Sequence, residues 1–364
     1  MTSIFSLHGS VLYRHFITAV LARTALVSAI FISLMEVLGL LEKMSSILGR
    51  HQGLSGVIYY CALRFPVLLE QSVPLSLLLG TIFLLVQMNQ HSEIASLRAA
   101  GLSTPRLYGL IVPAALILGA TLLLVKHEVT PRAERAYGTW WNATTPAVEA
   151  RTANLWFRAF GRIIHVDKVE EGGRVLLDVE SYQHSKDTHL VEERRAQMAR
   201  YVDREWRAEG ISGWRLDGNQ FLSLDPGQKN DFLNLPSPME IMTLLETPPI
   251  LSIPALMAAI RGVVPTSQST NSYKIALLSY ISLPIKLCIM ILLALPVVYI
   301  PPRTGTRSLL PIAALGCGVL YMIGQGLMDA LANAGTLPVL FSLTATPLIT
   351  LLLIWAWILK LEAG

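Results

Sequence analysis

Apolar residues run almost unbroken through both ends of this chain and break up in its middle. Six stretches reach the roughly 20 mainly apolar residues that a bilayer span requires: 15–41, 56–88, 105–125, 273–300, 308–332 and 337–359. The second exceeds that length and carries Pro66 and Pro74, which predicts a kinked or tilted helix projecting into water. Between the third and fourth stretches the pattern changes to short β-rich runs. Arg162–Val166, Arg174–Val179 and Trp214–Asp217 read as strands. Turn residues bound them at Glu171-Gly172-Gly173, Asp217-Gly218-Asn219 and Asp225-Pro226-Gly227. Leu190–Trp206 has the composition of a helix and the neighbours of a long strand, and both readings stay open. The prediction is an α-helical membrane protein with six transmembrane helices. An all-β domain, an antiparallel sandwich or open roll, is inserted between helices 3 and 4. The divisions are 1–125, 126–270 and 271–364.

Composition agrees: 52% of residues are hydrophobic and 15% charged, proportions of an integral membrane protein. The polar segment holds 17 basic and 19 acidic residues, so the net positive charge sits beside the spans. That excess orients a membrane protein. Arg14, Arg98, Arg106, Arg303, Arg307 and Lys360 fall on one side, predicted to be cytoplasmic. Lys43 and Arg50 fall on the other, with the β-domain. Both termini are then inside. The N-terminal stretch lacks a convincing cleavage site and is expected to remain as the first span. Cys61, Cys288 and Cys317 all lie in apolar runs, which gives no disulfide framework, metal site or thiol catalyst.

The segment Gln90–Gly101, between the second and third spans, reads as a two-turn helix. Ser92 is a favourable N-cap, and Glu93 suits the positive end of the helix dipole. Gly101 suits the C′ position, and Pro105 stops continuation. Ile94 and Leu97 lie on adjacent turns, so the helix can seat in a groove of a cytoplasmic partner; an ordinary interfacial turn is the plainer reading. Its Ser-Glu-Ile-x-x-Leu-Arg-Ala-x-Gly string resembles the LptF/LptG family, permeases of the lipopolysaccharide-export ABC transporter. The preceding Arg64-Phe65-Pro66…Pro74 helix and the layout of three spans, β-domain and three spans resemble it too. The tail, through Arg303-Thr304-Gly305 to Gly335-Thr336-Leu337-Pro338, resembles the LptG branch more than the LptF branch.

The resemblance implies a jellyroll-like fold for the β-domain and a coupling helix at 90–101, with Ser92, Glu93, Leu97 and Arg98 meeting a separate ATPase. It implies a bacterial inner-membrane location with the β-domain in the periplasm. The implied partners are an LptF-like second permease, two copies of a cytoplasmic LptB-like ATPase and an LptC-like bridge protein with a single span. Lipid A phosphates suit basic side chains, Arg in bidentate fashion. Lys43, Arg50, Arg64, Arg132 and Arg135 form the outward basic group that fits this task. Acyl chains need apolar walls, which the first and fifth spans supply, including Ile30, Met35, Leu38, Leu315, Val319 and Met322. The plainer reading of those residues is generic bundle packing. The pairs Ala313/Cys317 and Ala314/Gly318 have the spacing that lets helices approach closely. Trp355 and Trp357 read as interfacial belt residues. Trp140, Trp141 and Trp156 either floor a groove for acyl chains or pack in a core.

Catalytic motifs are missing. There is no Gly-x-x-x-x-Gly-Lys-Ser/Thr loop for nucleotide, so energy for transport must come from another chain. His127-Glu128-Val129-Thr130-Pro131 lacks the second histidine of a zinc motif. No cofactor is expected, and the reading is a permease subunit rather than an enzyme. Arg23, Glu36, Arg64, Glu70, Lys274, Lys286 and Asp329 lie within apolar spans, where charge is costly and often functional. Snorkelling by Arg23 and Lys286, and neutralisation of Arg64 or Lys274 by Glu36 or Glu70, is the structural alternative. Two other classes are the alternatives. A membrane sensor would need a cytoplasmic output domain, and a lipid-modifying enzyme would need a polar catalytic cluster at the interface; neither is visible.

Overall fold

The computed structural model describes residues 2–50, 52–144, 151–184, 189–217, 220–223, 235–245, 252–300 and 309–363. Helix α1 (Thr2–Gly49) is followed by α2 (Gly53–Gln90), the short α3 (Glu93–Ala99) and α4 (Thr104–Leu124). A π-helical turn, Val125–Val129, joins α4 to α5 (Thr130–Ala143). The third apolar helix therefore continues well past residue 125. Beyond that point apolar residues occupy one face only, which sequence hydropathy reads as polar chain. At about 1.5 Å per residue, the 38 residues of α2 extend well beyond a hydrocarbon core of about 30 Å.

Among the described residues seven antiparallel strands follow: β1 (Arg151–Ala159), β2 (Arg162–Glu170), β3 (Val175–His184), β4 (Leu190–Val202), β5 (Glu205–Glu209), β6 (Ser212–Asp217) and β7 (Gln220–Ser223). They form one sheet in the order β1-β2-β3-β4-β6-β7, with β5 also pairing on β4. The described strands thus make an open, nearly sequential sheet rather than a two-sheet sandwich. The ambiguous Leu190–Trp206 is strand β4 plus the turn and start of β5. Gly172 and Gly173 make the β2–β3 turn with positive φ of 64° and 89°, as their pairing predicted; the turns placed at 218–219 and 225–227 lie outside the described residues. Leu155, Val166, Leu176, Val179, Ala196 and Ala199 of the strands are buried in one apolar cluster.

Two short helices that the sequence reading did not contain follow: α6 (Pro238–Leu245) and α7 (Ile253–Ile260). Helix α6 packs Ile241 and Leu244 into the core under the sheet. It opens with a capping box, Glu240 Oε2 accepting from Ser237 N at 2.8 Å, with Pro238 in the first turn. Thr266 bridges to Arg158 of β1 through paired backbone hydrogen bonds of 2.7 and 2.9 Å.

Helix α8 (Thr270–Ala294) ends in a 3-10 turn, Leu295–Tyr299, and α9 (Leu310–Asn333) and α10 (Val339–Ala363) complete the chain. The chain divides into two compact units, Met1–Ala133 with Ile275–Gly364, and Glu134–Lys274. Among the described residues, six helices are long and apolar enough to cross a membrane. The core of the helical unit joins Val20 of α1, Leu77, Leu78 and Leu85 of α2, Ile111 of α4, Leu287 and Met290 of α8 and Ala314 of α9. Buried hydroxyls of α2 satisfy themselves locally, Ser76 donating to the Ser72 carbonyl at 2.8 Å and Thr81 to that of Leu77 at 2.7 Å. Two glycines set helix approach. A Cβ on Gly80 would lie 2.9 Å from the Thr24 backbone nitrogen of α1, and one on Gly318 would lie 2.1 Å from Leu78 Cδ2. Ala314 and Gly318 are buried, whereas Ala313 and Cys317 are exposed, so of the two small-residue pairs only the former makes this contact.

Candidate functional site

The corner formed by α2, α3 and α4 is built differently from its sequence expectation. Ser92 precedes α3 in a left-handed conformation (φ 61°) and its side chain caps nothing; tight reversal after α2 takes precedence over capping. The C-terminal end behaves as expected. Gly101, with φ 86°, donates to the Arg98 carbonyl at 2.9 Å and Leu102 to that of Leu97 at 3.0 Å, a Schellman closure. Ile94 is buried and Leu97 half-buried, both packed in the chain's own core with Leu107 and Leu110. They seat the helix against the rest of the helical unit. Glu93, Ser96 and Arg98 are exposed.

The corner is fastened to the 3-10 turn after α8 by three contacts absent from the sequence reading. Asn89 donates to the Val297 carbonyl at 2.8 Å. Thr104 and Tyr299 share a hydroxyl hydrogen bond of 2.8 Å. The Arg98 guanidinium lies 4.5 Å from the centroid of the Tyr299 ring, a cation–π contact. A buried asparagine near the end of an apolar span was the visible signal. Arg23 turns toward the same end of α2, donating to the Ala19 carbonyl and to Gln87 Oε1, as snorkelling predicts.

The basic group is only partly assembled. Lys43 and Arg64 both act electrostatically on Glu42 and Tyr60, so the α1–α2 hairpin brings these two together; Lys43 pairs with Glu42 at 2.9 Å. Arg64 also faces Glu36, one of the neutralising pairs expected. Arg132 pairs with Glu128 one turn away. Arg135 is exposed on α5, and Arg50 is half-buried at the end of α1. Arg303 and Arg307 lie outside the described residues. Glu70 accepts from Thr130 and faces Lys126. The Lys126 ammonium donates to Ser279 at 2.6 Å and sits over the Tyr280 ring. The Lys126 carbonyl, in the π turn, accepts from the Tyr280 hydroxyl at 3.3 Å. Asp329 accepts from Gln325 at 2.9 Å and faces Lys286.

Of the six apolar residues expected to wall a lipid cavity, three are exposed and three are not. Ile30 and Leu38 of α1 and Val319 of α9 are exposed, Met35 is half-buried, and Leu315 and Met322 pack against the helical core. None of the six lines the groove of ≈490 Å³ among α1, α2 and α4, whose walls include Leu21, Ile32, Phe65, Leu69 and Leu122. On the sheet, Trp156 stacks on His165 at 4.3 Å and on Tyr182 at 6.1 Å, while Trp140 and Trp141 cluster with Tyr137 on α5. No group of three or more His, Cys, Asp or Glu able to hold a metal occurs among the described residues.

With this architecture in place, comparison with known proteins is direct. The chain is similar to the lipopolysaccharide export system permease protein LptG of Haemophilus influenzae, 21% identical over 346 residues, covering 92% of this chain and 96% of that protein. It is likewise 21% identical to LptG of Escherichia coli K12 over 309 residues, covering 82% and 84% of the two. The model of the family described as lipopolysaccharide export system permease LptF/LptG matches residues 14–360. Six apolar helices, a β-sheet unit between the third and fourth, and a match across nearly the whole length together place this chain in the LptF/LptG family of lipopolysaccharide export permeases.

Proposed function

We propose that this chain is one permease subunit of an ABC transporter that extracts lipopolysaccharide from the bacterial inner membrane. In this reading the sheet unit lies in the periplasm and hands the lipid to an LptC-like bridge protein. An LptF-like subunit completes the lipid cavity, using the open apolar faces of α1 and α9, and Lys43 and Arg64 with Arg50, Arg132 and Arg135 attract its phosphates. Two LptB-like ATPases supply the energy, one of them docking on α3.

The observation that carries the reading is the α3 corner. A seven-residue helix turns its apolar side chains inward, is fixed to the 3-10 turn by Asn89, Arg98 and Thr104, and leaves Glu93, Ser96 and Arg98 facing out. A helix so held can pass on a push rather than absorb it. The test is co-purification from detergent-extracted membranes. The chain should bring down an ATPase and a second six-span subunit, and Glu93→Ala should lose the ATPase while keeping the second permease. A chain that purifies alone, or a Glu93→Ala complex that assembles and exports normally, sinks the proposal.

A further inference from the structure

The sheet carries a cluster for which neither the family match nor the coupling corner accounts. Strand register lines up Arg162, Gln183, Glu192 and Arg215 across β2, β3, β4 and β6. Ser181 and Arg194 stand opposite one another in the next row of the same face. The Glu192 side chain is 3% exposed. It accepts from Arg215 at 2.7 Å and Arg162 at 3.1 Å and pairs with Arg194.

Besides Glu192, Arg162 donates to Gln183 Oε1 at 3.1 Å, and the guanidiniums of Arg162 and Arg215 together still offer more N–H donors than these two partners accept. Arg162 and Arg215 keep 23% and 50% of their side-chain surface open, so their remaining donors are reachable from solvent. The Ser181 hydroxyl is buried, with no hydrogen-bond partner among the described residues. Gly213, opposite Arg194, brings no side chain to that row.

We propose that this row is a binding site for a phosphate-class oxyanion, held by Arg162 and Arg215, with Ser181 as a further donor and Glu192 as the positioning residue that aligns the guanidiniums. A tetrahedral oxyanion offers several acceptors to planar, bidentate arginine. Where the phosphate belongs to the transported glycolipid, the inference rests on the export reading; free phosphate is the other source of the same chemistry.

The experiment uses the full chain with its co-purifying subunits in nanodiscs. A photo-crosslinking residue replaces Leu222, the half-exposed register partner of Arg215. Phosphorylated lipopolysaccharide should label this position, and its dephosphorylated form should not. Arg162→Gln with Arg215→Gln should cut labelling about tenfold or more, the loss expected for charge-assisted hydrogen bonds. Arg215→Lys should keep part of the labelling that the separate single variant Arg215→Gln loses, and this pair also serves if the double variant does not fold. Equal labelling by both lipids, or labelling indifferent to the arginines, overturns the lipid site. Inorganic phosphate alone, followed by 31P line broadening, separates the sources. Broadening that needs the arginines in a preparation that extracts no lipid upholds the anion site while the export reading fails. Normal export with neither labelling nor broadening overturns the site and leaves export standing.

Discussion

Ile94 and Glu93 are neighbours on one short helix with opposite tasks, and the structure separates them quantitatively. Ile94 is 3% exposed, in a segment between spans where the unseated side chain meets water rather than lipid. Trimming it to alanine removes three carbons from the core. At about 0.8 kcal/mol per buried methylene this costs about 2.4 kcal/mol, and incomplete collapse of the gap raises the range to about 2–5 kcal/mol. In the helical unit that range corresponds to a melting temperature lower by roughly 4–20 °C. Glu93 is exposed and makes no hydrogen bond or ion pair among the described residues. Glu93→Ala gives up only its interaction with the helix dipole, about 0.3–1 kcal/mol, so the melting point should barely move while ATPase binding is lost. Scanning fluorimetry of the purified chain and co-purification of the ATPase read the two effects independently. If Ile94→Ala melts like the parent while Glu93→Ala falls by several degrees, the assignment of inner and outer faces is wrong.

Two further outcomes follow from packing and charge. Gly318→Ala places a methyl 2.1 Å from Leu78 Cδ2 and should destabilise by about 1–3 kcal/mol. Combined with Leu78→Ala the loss should be smaller than the sum of the single changes, and additive melting shifts would refute the contact. Glu192 is pulled two ways: burial alone would raise its carboxyl, but Arg215, Arg194 and Arg162 together hold it below the ordinary value of 4.5. A depressed folded value means that its stabilisation is present above the unfolded value and is lost as pH falls through the folded one. Glu192→Gln should therefore melt below the parent at pH 6, and the gap should close below about pH 4.5. A gap that persists unchanged into acid would show that the ion pairs contribute nothing.

The spans were legible because a bilayer imposes a length and a polarity that composition reports directly. Strands β2, β3 and β6 were legible from β-rich runs between turns. Strand β4 was not, because Glu192 and Arg194 occupy its inward positions, so the alternation of apolar and polar residues that marks a strand is missing there. The reason lies in the row of arginines, which four separate strands assemble and no local pattern contains. Helix α6 carries a local signal, Ser237-Pro238-Met239-Glu240, a capping box with proline in the first turn, set in a segment whose other runs read as strands. At α3 the motif was visible but its direction was not. Sequence spacing puts Ile94 and Leu97 on one face; only the packing of Leu107 and Leu110 against them says that this face looks inward.

The positions of the close-approach residues bear on how a push at α3 would travel. Helix α2 leads directly into α3, and within one turn it meets two other helices: Gly80 against Thr24 of α1, and Leu78 against Gly318 of α9. Those are the two helices whose open apolar faces carry Ile30, Leu38 and Val319. In the proposed transporter, displacement of α3 would reach both faces through one rigid contact zone, because close-packed helices shift together rather than deform. Pro66 and Pro74 lie beyond that zone on the side away from α3, where missing backbone hydrogen bonds weaken the helix. The half of α2 nearest α3 would then act as the lever and the prolines as its hinge. Gly318→Ala, by prising α9 off α2, should lower lipid exported per ATP hydrolysed while leaving ATPase docking at Glu93 intact. Equal loss of docking and export would instead mean that the contact serves only to hold the bundle together.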